Sequence, residues 1–491
     1  MWMMIAFAAN SALNFVVSLL LAKFLGPAEY GRFVLALSAS LFVQLLLFDW
    51  LRLATTRFYA HQDSSAGANT RATLKAVFLG LAAVAVFLAI VAYLARLDLP
   101  LTPDLAALAM IAAIANGVFD VAAALLRARF LDRAYGVLVV AKNILAFMLS
   151  VGGAYLFHSA PLALVSLMIS VAGSLVAARA GLQEAPGAPR GRVQRALAAR
   201  FLAYSVPIIA ANLLYQSVPL LDRALVSQSL GFAEAGQLSL AYEVGVRIVG
   251  ALGSALDAVL FQLAVREEAT AGLDAARGRI ARNMGVVFAL VAPAVLGCWL
   301  VLPSFEAVFV PESFRGPFGR YFTLLTPTLI AFGLINYAIN PAFQIAHRLA
   351  PLIIAALTAV AVNLLYVVLA PKTADAANFA LAQSASSLAG MAALTVLLLW
   401  LTPVRPSARD VLGTVAACGA MFAALAPMRG LAPGALTMAA QIAAGCAVFG
   451  ATAAALNVAG TRELALAFFR RMAAGSETPH PPLAKGGGGG L

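Results

Sequence analysis

Fourteen apolar runs of about 20 residues follow one another along the chain, separated by short polar segments. A helix of that length rises about 30 Å, which matches the thickness of the hydrocarbon core of a bilayer. The pattern therefore predicts an all-α, polytopic membrane protein. The predicted spans lie at residues 3–23, 33–53, 75–95, 105–126, 136–157, 162–178, 202–222, 236–260, 284–302, 320–340, 351–370, 378–401, 411–427 and 435–457.

A short segment occurs twice along this pattern. LGPAEYG at 25–31 returns as LGFAEAG at 230–236, with Leu, Gly, Ala, Glu and Gly in the same order and at an offset of 205 residues. We interpret each copy of this LGxAExG segment as a glycine-assisted turn at the outer end of a span, with Glu near the start of the next helix. The repeat predicts two related lobes, and six spans in each lobe place their pseudo-twofold axis along the membrane normal.

The repeat and the polar segments divide the chain into five predicted parts. These are an N-lobe of spans 1–6 (1–178), a basic cytoplasmic linker (179–200), a C-lobe of spans 7–12 (201–402), spans 13 and 14 (403–457) and a cytoplasmic tail (458–491). The glycine-rich end of the tail is predicted to be disordered.

Composition agrees with the spans and excludes several classes of protein. With 63% hydrophobic and 11% charged residues, the chain cannot cover a water-soluble globule. Alternating the loops places most of the 33 Lys and Arg residues on the side that carries both termini, which predicts that this side is cytoplasmic. The net charge of +12 is thus attributed to loops, without a basic face for nucleic acid. The three cysteines match no metal or disulfide spacing, and neither metal ligands nor a cofactor are predicted.

The amino-terminal residues carry a family resemblance. LLLAKFLGPAEYGRFVLALS, followed by a span that ends in DWLRLATTRFYA, resembles the polysaccharide and O-antigen flippase branch of the multidrug/oligosaccharidyl-lipid/polysaccharide exporter superfamily. The arrangement of six, six and two spans extends the resemblance over nearly the whole chain. The sequence departs from the family in lacking the basic extension that often precedes span 1.

The resemblance implies a function and a location. Such proteins move undecaprenyl-diphosphate-linked oligosaccharides, including precursors of lipopolysaccharide, from the cytoplasmic to the periplasmic leaflet of the bacterial inner membrane. Their partners are the lipid-linked oligosaccharide and membrane lipids, with a polysaccharide polymerase and other assembly proteins as further candidates. No cofactor is implied beyond coupling to a proton or sodium gradient.

Two other functions are weighed against this one. A cation-coupled drug or small-molecule exporter of the same superfamily normally has twelve spans and mainly acidic residues in its cavity. A membrane enzyme such as a polymerase or ligase needs a larger periplasmic loop than residues 303–319, and no HExxH, GxGD or Walker-type motif occurs. No catalytic residue is therefore predicted.

Ionisable residues inside the spans are the candidate functional residues, because such groups are costly in hydrocarbon unless they face water or a partner. The cations predicted to line a cavity and bind substrate are Arg52, Lys142, Arg223 and Arg247. The acids predicted to act in gating or in ion coupling are Asp49, Asp120, Asp222, Glu243 and Asp257.

Helical spacing predicts how some of these residues pair. Asp49 and Arg52 lie three residues apart, and Glu243 and Arg247 lie four apart, so each pair shares one helix face. Lys142 is the most isolated cation at membrane depth, with Asp120 as a candidate partner.

Two further expectations concern the second lobe. Pro207 and Pro219 predict a bent span 7. The offset of 205 residues makes Asp257 the counterpart of Arg52, which predicts an ion pair that closes the cytoplasmic side.

Overall fold

The protein is seen in a computed structural model that describes residues 2–59, 65–94, 100–183, 191–346, 348–371, 374–402 and 404–463. Its elements are helices throughout these ranges, which confirms the predicted fold class. In the first half of the chain they are α1 (Trp2–Leu47), α2 (Asp49–Phe58), α3 (Ser65–Leu94), α4 (Pro103–Ala128), α5 (Asp132–Ala146), α6 (Gly152–Phe157), α7 (Ala160–Ala177) and α8 (Arg179–Leu182). Most of the predicted tail, from residue 464, lies outside the described residues.

The second half has a similar succession of helices. They are α9 (Arg195–Ser229), α10 (Phe232–Ala271), α11 (Leu273–Leu300), α12 (Leu302–Phe309), α13 (Pro317–Leu334), α14 (Asn340–Ile345), α15 (Ala350–Leu369), α16 (Ala377–Leu401), α17 (Ala408–Leu425) and α18 (Ala435–Leu456). Short π-helical segments at Phe147–Val151 and Ile335–Ile339 join α5 to α6 and α13 to α14.

Fewer than the predicted fourteen spans are found when helices are counted by their length and apolar character. The described residues contain twelve helices that can cross a membrane, or thirteen when the bent helix α9 counts as one span. One reason is that α1 counts once, although Gly26 has a non-helical backbone (φ 72°, ψ 171°) that divides it into two segments. The division of the chain into lobes remains a prediction.

The structure confirms the bend predicted in span 7. The segments Arg195–Val206 and Ile208–Ser229 of α9 meet at an angle of 51° at Pro207. Proline removes one backbone hydrogen bond and crowds the preceding turn, so the helix bends where the ring is inserted.

Several helices extend beyond their apolar runs. The run at 284–302 begins inside α11, which starts at Leu273 with a turn that contains Asp274 and ends at Leu300. Likewise α10 is 40 residues long, whereas the predicted run covers 236–260. Hydropathy locates the part of a helix inside the bilayer, while backbone hydrogen bonds continue into its polar ends.

The main hydrophobic core draws buried residues from both halves of the chain, among them Phe33, Leu238 and Phe322. The rings of Tyr30 and Phe314 meet edge to face at 5.8 Å between centroids. The helix pair α17 and α18 packs on α11, where Trp299 and Phe422 stack at 6.3 Å. The helices that would form two lobes are thus in direct contact.

Candidate functional site between the two halves of the chain

The two LGxAExG segments have the same backbone conformation and lie against each other. Gly26 and Gly231 both have positive φ, at 72° and 95°, a conformation that favours glycine. A Cβ added to Gly31 would lie 2.0 Å from the carbonyl oxygen of Phe232, and one added to Gly236 would lie 2.1 Å from that of Pro27. Both contacts are related by the 205-residue offset, so the two backbones cross symmetrically.

This crossing revises the interpretation of the segment as only a turn. The segments also form the contact between the halves at one end of the bundle, here called the repeat end. A sequence pattern shows that a helix turns at Gly26, but it does not show which other helix that turn meets. The glycines at 31 and 236 are needed because α1 and α10 approach to backbone contact.

The glutamates of the repeated segments bind the starts of other helices. Glu29 Oε2 accepts a hydrogen bond from the backbone N of Ala160 at 2.9 Å, and Glu234 Oε1 accepts one from that of Ala376 at 3.1 Å. These amides begin α7 and α16, which hold the sixth span of each predicted lobe. A carboxylate at a helix N-terminus is favoured by unsatisfied N–H groups and by the helix dipole. Each glutamate therefore connects the last helix of its half to the place where α1 and α10 cross.

Arg223 joins the two halves close to this crossing. Its Nη2 lies 2.7 Å from Glu243 Oε1 on α10, and its Nη1 donates to the hydroxyl of Ser38 on α1. The guanidinium also lies 5.4 Å from the centroid of the Tyr242 ring. Ser38 and Glu243 are counterparts at the 205-residue offset, so one arginine binds equivalent positions of both repeats.

Arg247 is a second cation on the same carboxylate. Its Nη2 lies 3.6 Å from Glu243 Oε2, so the predicted pair on one helix face is formed. Its side chain is 32% exposed, whereas that of Arg223 is 8% exposed. Its Nε is buried and makes no hydrogen bond within the described part of the chain. Two guanidinium groups thus share one carboxylate, and this set of Arg223, Glu243 and Arg247 is called the arginine cluster.

Asp222 binds a partner outside the arginine cluster. Its carboxylate accepts hydrogen bonds of 3.1 and 3.3 Å from Nδ2 of Asn363 on α15. Both residues are buried, and they connect α9 with α15. Asn363 was not among the sequence candidates, although it is a polar residue in the middle of an apolar run.

The other predicted residues form a separate group inside the first half. Arg52 Nη2 lies 3.0 Å from Asp49 Oδ2, which is the predicted pair, and Gln44 donates to Asp120. Lys142 was predicted to be the most isolated cation at membrane depth, with Asp120 as a candidate partner. Its Nζ lies 4.0 Å from the centroid of the Phe119 ring, where the ring face attracts the ammonium group, and it also interacts electrostatically with Asp120.

Direct contacts therefore join the predicted residues in two groups. Arg223, Glu243 and Arg247 meet at the boundary between the halves, whereas Asp49, Arg52, Asp120 and Lys142 belong to the first half. The side chain of Asp257 lies outside the described residues, so its pairing with Arg52 stays a prediction. Sequence reasoning missed Ser38, although the 205-residue offset from Glu243 could have found it.

Comparison with protein families identifies the family of the chain. Residues 20–303 match the family described as "Polysaccharide biosynthesis protein". The chain belongs to this family. The match confirms the resemblance seen in the sequence, and it covers the whole arginine cluster. No match was found among curated proteins.

Solved structures show that the chain shares the fold of membrane transport proteins. It resembles "Lipid II flippase MurJ, inward closed conformation" with a TM-score of 0.71 and 14% identity, over 94% of this chain and 100% of that one. It also resembles an inward-facing multidrug resistance MATE family transporter of the MOP superfamily, with a TM-score of 0.55 and 14% identity, over 80% and 93% of the two chains. At these identities the likeness is one of fold.

Proposed function

We propose that this protein flips an undecaprenyl-diphosphate-linked oligosaccharide from the cytoplasmic to the periplasmic leaflet of the bacterial cytoplasmic membrane. The transfer would serve the assembly of surface polysaccharide such as O-antigen, and both termini would lie in the cytoplasm. The observation that carries the proposal is the arginine cluster, in which two cations share one acid at the boundary between two halves of a transporter fold.

The chemistry of the substrate fits the arginine cluster. A diphosphate that carries sugars is too polar for hydrocarbon, whereas its polyprenyl chain is soluble there, so the protein must shelter only the head group. Guanidinium groups bind carboxylates and phosphates with the same paired N–H donors. Glu243 occupies these donors here, and a substrate phosphate would replace it on Arg223 and Arg247.

Contacts between the halves at both ends of the bundle support an alternating mechanism. At the repeat end α1 crosses α10 at Gly31 and Gly236. At the opposite end Ser205 on α9 donates to the carbonyl oxygen of Trp50 on α2 at 3.1 Å. Opening one contact while the other stays closed would expose the arginine cluster to one leaflet at a time.

Acidic residues are available to couple this cycle to a proton or sodium gradient. We propose Asp49, Asp120, Asp222, Glu243 and Asp257 as the candidates for coupling or gating. Exchange of Glu243 between the arginines and a bound cation would link substrate release to ion binding. Arg52 and Lys142 are proposed as additional cations that attract the substrate.

The protein is proposed to transport its substrate without transforming it chemically. A polysaccharide polymerase that consumes the flipped oligosaccharide is a candidate partner. A drug exporter is less well supported, because the residues between the halves include two arginines that would repel a cationic drug.

The test is a flipping assay in vesicles. The purified protein is reconstituted with an undecaprenyl-diphosphate-linked oligosaccharide that carries a fluorescent sugar, and a membrane-impermeant quencher reports the outer leaflet. We expect the protein to accelerate transfer, and Arg223→Gln and Arg247→Gln to slow it by about tenfold or more, since each removes a charged contact to phosphate. Arg277→Gln, which removes a cation paired only with the exposed Asp274 among the ion pairs of the described residues, serves as the matched control and should transfer at the normal rate.

Cells give a second measurement. Deletion of the gene should leave lipid-linked oligosaccharide in the cytoplasmic leaflet and remove surface polysaccharide. Transfer no faster than in empty vesicles, together with unchanged surface polysaccharide, would show that the proposal is wrong. Vesicles that instead accumulate a lipophilic cation would favour the drug exporter.

A further inference from the structure

A cationic cavity lies on the side of the first half, at the end of the bundle opposite the repeat end. Its volume is about 280 Å³, and α2, α3, α4 and α8 surround it. Three cations, Arg71, Lys75 and Arg129, line it together with the ring of Tyr59, and none of the described residues that line it is acidic. None of these three residues belongs to the arginine cluster.

The fold holds Arg129 of this cavity in place. Arg129 Nε donates to Tyr59 Oη at 3.0 Å, and its Nη1 donates to the carbonyl oxygens of Gly181 and Gln183 at 3.1 and 3.3 Å. These acceptors are neutral, so they orient the guanidinium without cancelling its charge. Arg71 and Lys75 lie four residues apart on α3 and therefore on one face of that helix.

The inner wall of the cavity is apolar. It consists of Leu74, Phe78, Leu79, Val118, Val121, Ala122 and Leu125. Leu79 is 57% exposed, and the outer face of α3 continues from it with the exposed side chains of Phe87 and Ile90. In a membrane-spanning helix such a face contacts lipid chains. Cationic groups at the end of a span, followed by an apolar surface towards the middle of the bilayer, match the order of groups in an anionic lipid.

We propose that this cavity binds a phospholipid of the surrounding leaflet, with its phosphate on Lys75 and Arg129 and an acyl chain along Leu79. Lys and Arg at the membrane surface attract anionic lipids and contact their phosphates directly. The volume of the cavity is below the usual range for pockets that enclose drug-sized ligands, which suits a phosphoglycerol head group. Bound lipid would stabilise the packing of α3 against α4, on the side of the protein away from the arginine cluster.

The experiment measures lipid binding to the full-length protein in a non-ionic detergent. Native mass spectrometry counts the bound molecules during titration with short-chain phosphatidylglycerol, phosphatidylcholine or inorganic phosphate. Phosphatidylglycerol should bind at least about tenfold more tightly than the other two, because it alone offers both an anionic head and a chain. Lys75→Gln removes an exposed cation, and Val121→Phe fills the apolar wall without changing charge, so each should weaken this binding by about tenfold.

The control is Arg57→Gln, which removes an exposed cation at the same end of the bundle outside the cavity and should leave binding unchanged. Melting temperatures show whether each variant is folded. Equal binding of phosphatidylglycerol and phosphatidylcholine, or full binding by both Lys75→Gln and Val121→Phe, would contradict the proposal. Tight binding of inorganic phosphate would identify an anion site instead. Displacement of phosphatidylglycerol by undecaprenyl diphosphate from the unmodified protein, but not from the cavity variants, would identify a site for the carrier lipid.

Discussion

At the scale of single residues, the arginine cluster shows how much a charge in the membrane depends on its partners. Arg223 is almost fully buried and is held by Glu243 and by the hydroxyl of Ser38. A buried ion pair adds little net stability, since both groups lose hydration, but removal of one partner leaves an uncompensated charge. Glu243 is therefore important to stability even if a substrate phosphate later replaces it.

We predict that Glu243→Gln destabilises the protein by about 3 kcal/mol, because both Arg223 and Arg247 lose their carboxylate. Thermal unfolding in detergent should show a clearly lower melting temperature. Asp274→Asn is the control, since the pair between Asp274 and Arg277 is exposed and contributes little. The double variant Glu243→Gln and Arg223→Gln should regain part of the loss, and a double variant less stable than Glu243→Gln alone would contradict this account.

At this scale the sequence predicts pairs within one helix. The spacing of Asp49 from Arg52 and of Glu243 from Arg247 is sufficient to predict each pair, because positions three or four residues apart lie on the same face of a helix. The contacts of Arg223 with Ser38 and of Lys142 with Phe119 join residues distant in sequence or on different helices. Helical periodicity contains no information about them.

At the scale of helices, the repeated segment combines three functions in seven residues. Gly26 and Gly231 allow the turn, Gly31 and Gly236 allow the close crossing, and the glutamates bind α7 and α16. The sequence predicts the turn because a glycine after a long apolar run is a local signal. The crossing and the helix contacts are tertiary, and they explain why Ala, Glu and the second Gly are repeated as well.

We predict that Gly31→Ala and Gly236→Ala destabilise the protein by about 1 to 3 kcal/mol each, because the added Cβ meets a carbonyl oxygen and forces α1 and α10 apart. The two variants should have similar melting temperatures, since their contacts are related by the repeat. Gly80→Ala, on α3, has open space for the Cβ and should not be destabilised. A normal melting temperature for both Gly31→Ala and Gly236→Ala would show that the helices do not approach this closely.

At the scale of the whole molecule, the two halves meet at both ends of the bundle. Tyr30 and Phe314 meet at the repeat end, and the rings of Phe58 and Phe201 lie 5.4 Å apart at the opposite end. A protein that moves a head group between leaflets by alternating access must open one of these contacts at a time. The same aromatic contacts therefore provide a test of the motion.

We predict that cross-links at either end stop flipping, whereas one inside a half does not. In a variant without native cysteines, a short cross-linker that forms disulfides joins Tyr30→Cys to Phe314→Cys, or Phe58→Cys to Phe201→Cys. In the vesicle assay, transfer should be lost after cross-linking and should return when the cross-link is reduced. The control joins Trp299→Cys to Phe422→Cys, which links α11 to α17 within the second half. Normal transfer with either end closed would exclude alternation between these contacts.

The sequence by itself determined the all-helical membrane fold, the positions of most spans, the turn at each repeated segment and the ion pairs within single helices. These features follow from hydropathy, from glycine's tolerance of positive φ and from helical periodicity, all of which act over a few residues. Tertiary structure decided that the repeated segments cross, that Arg223 binds both repeats and that Asp222 binds Asn363. Those contacts depend on which faces of distant helices pack together, and that choice is made by the combined packing of the whole bundle.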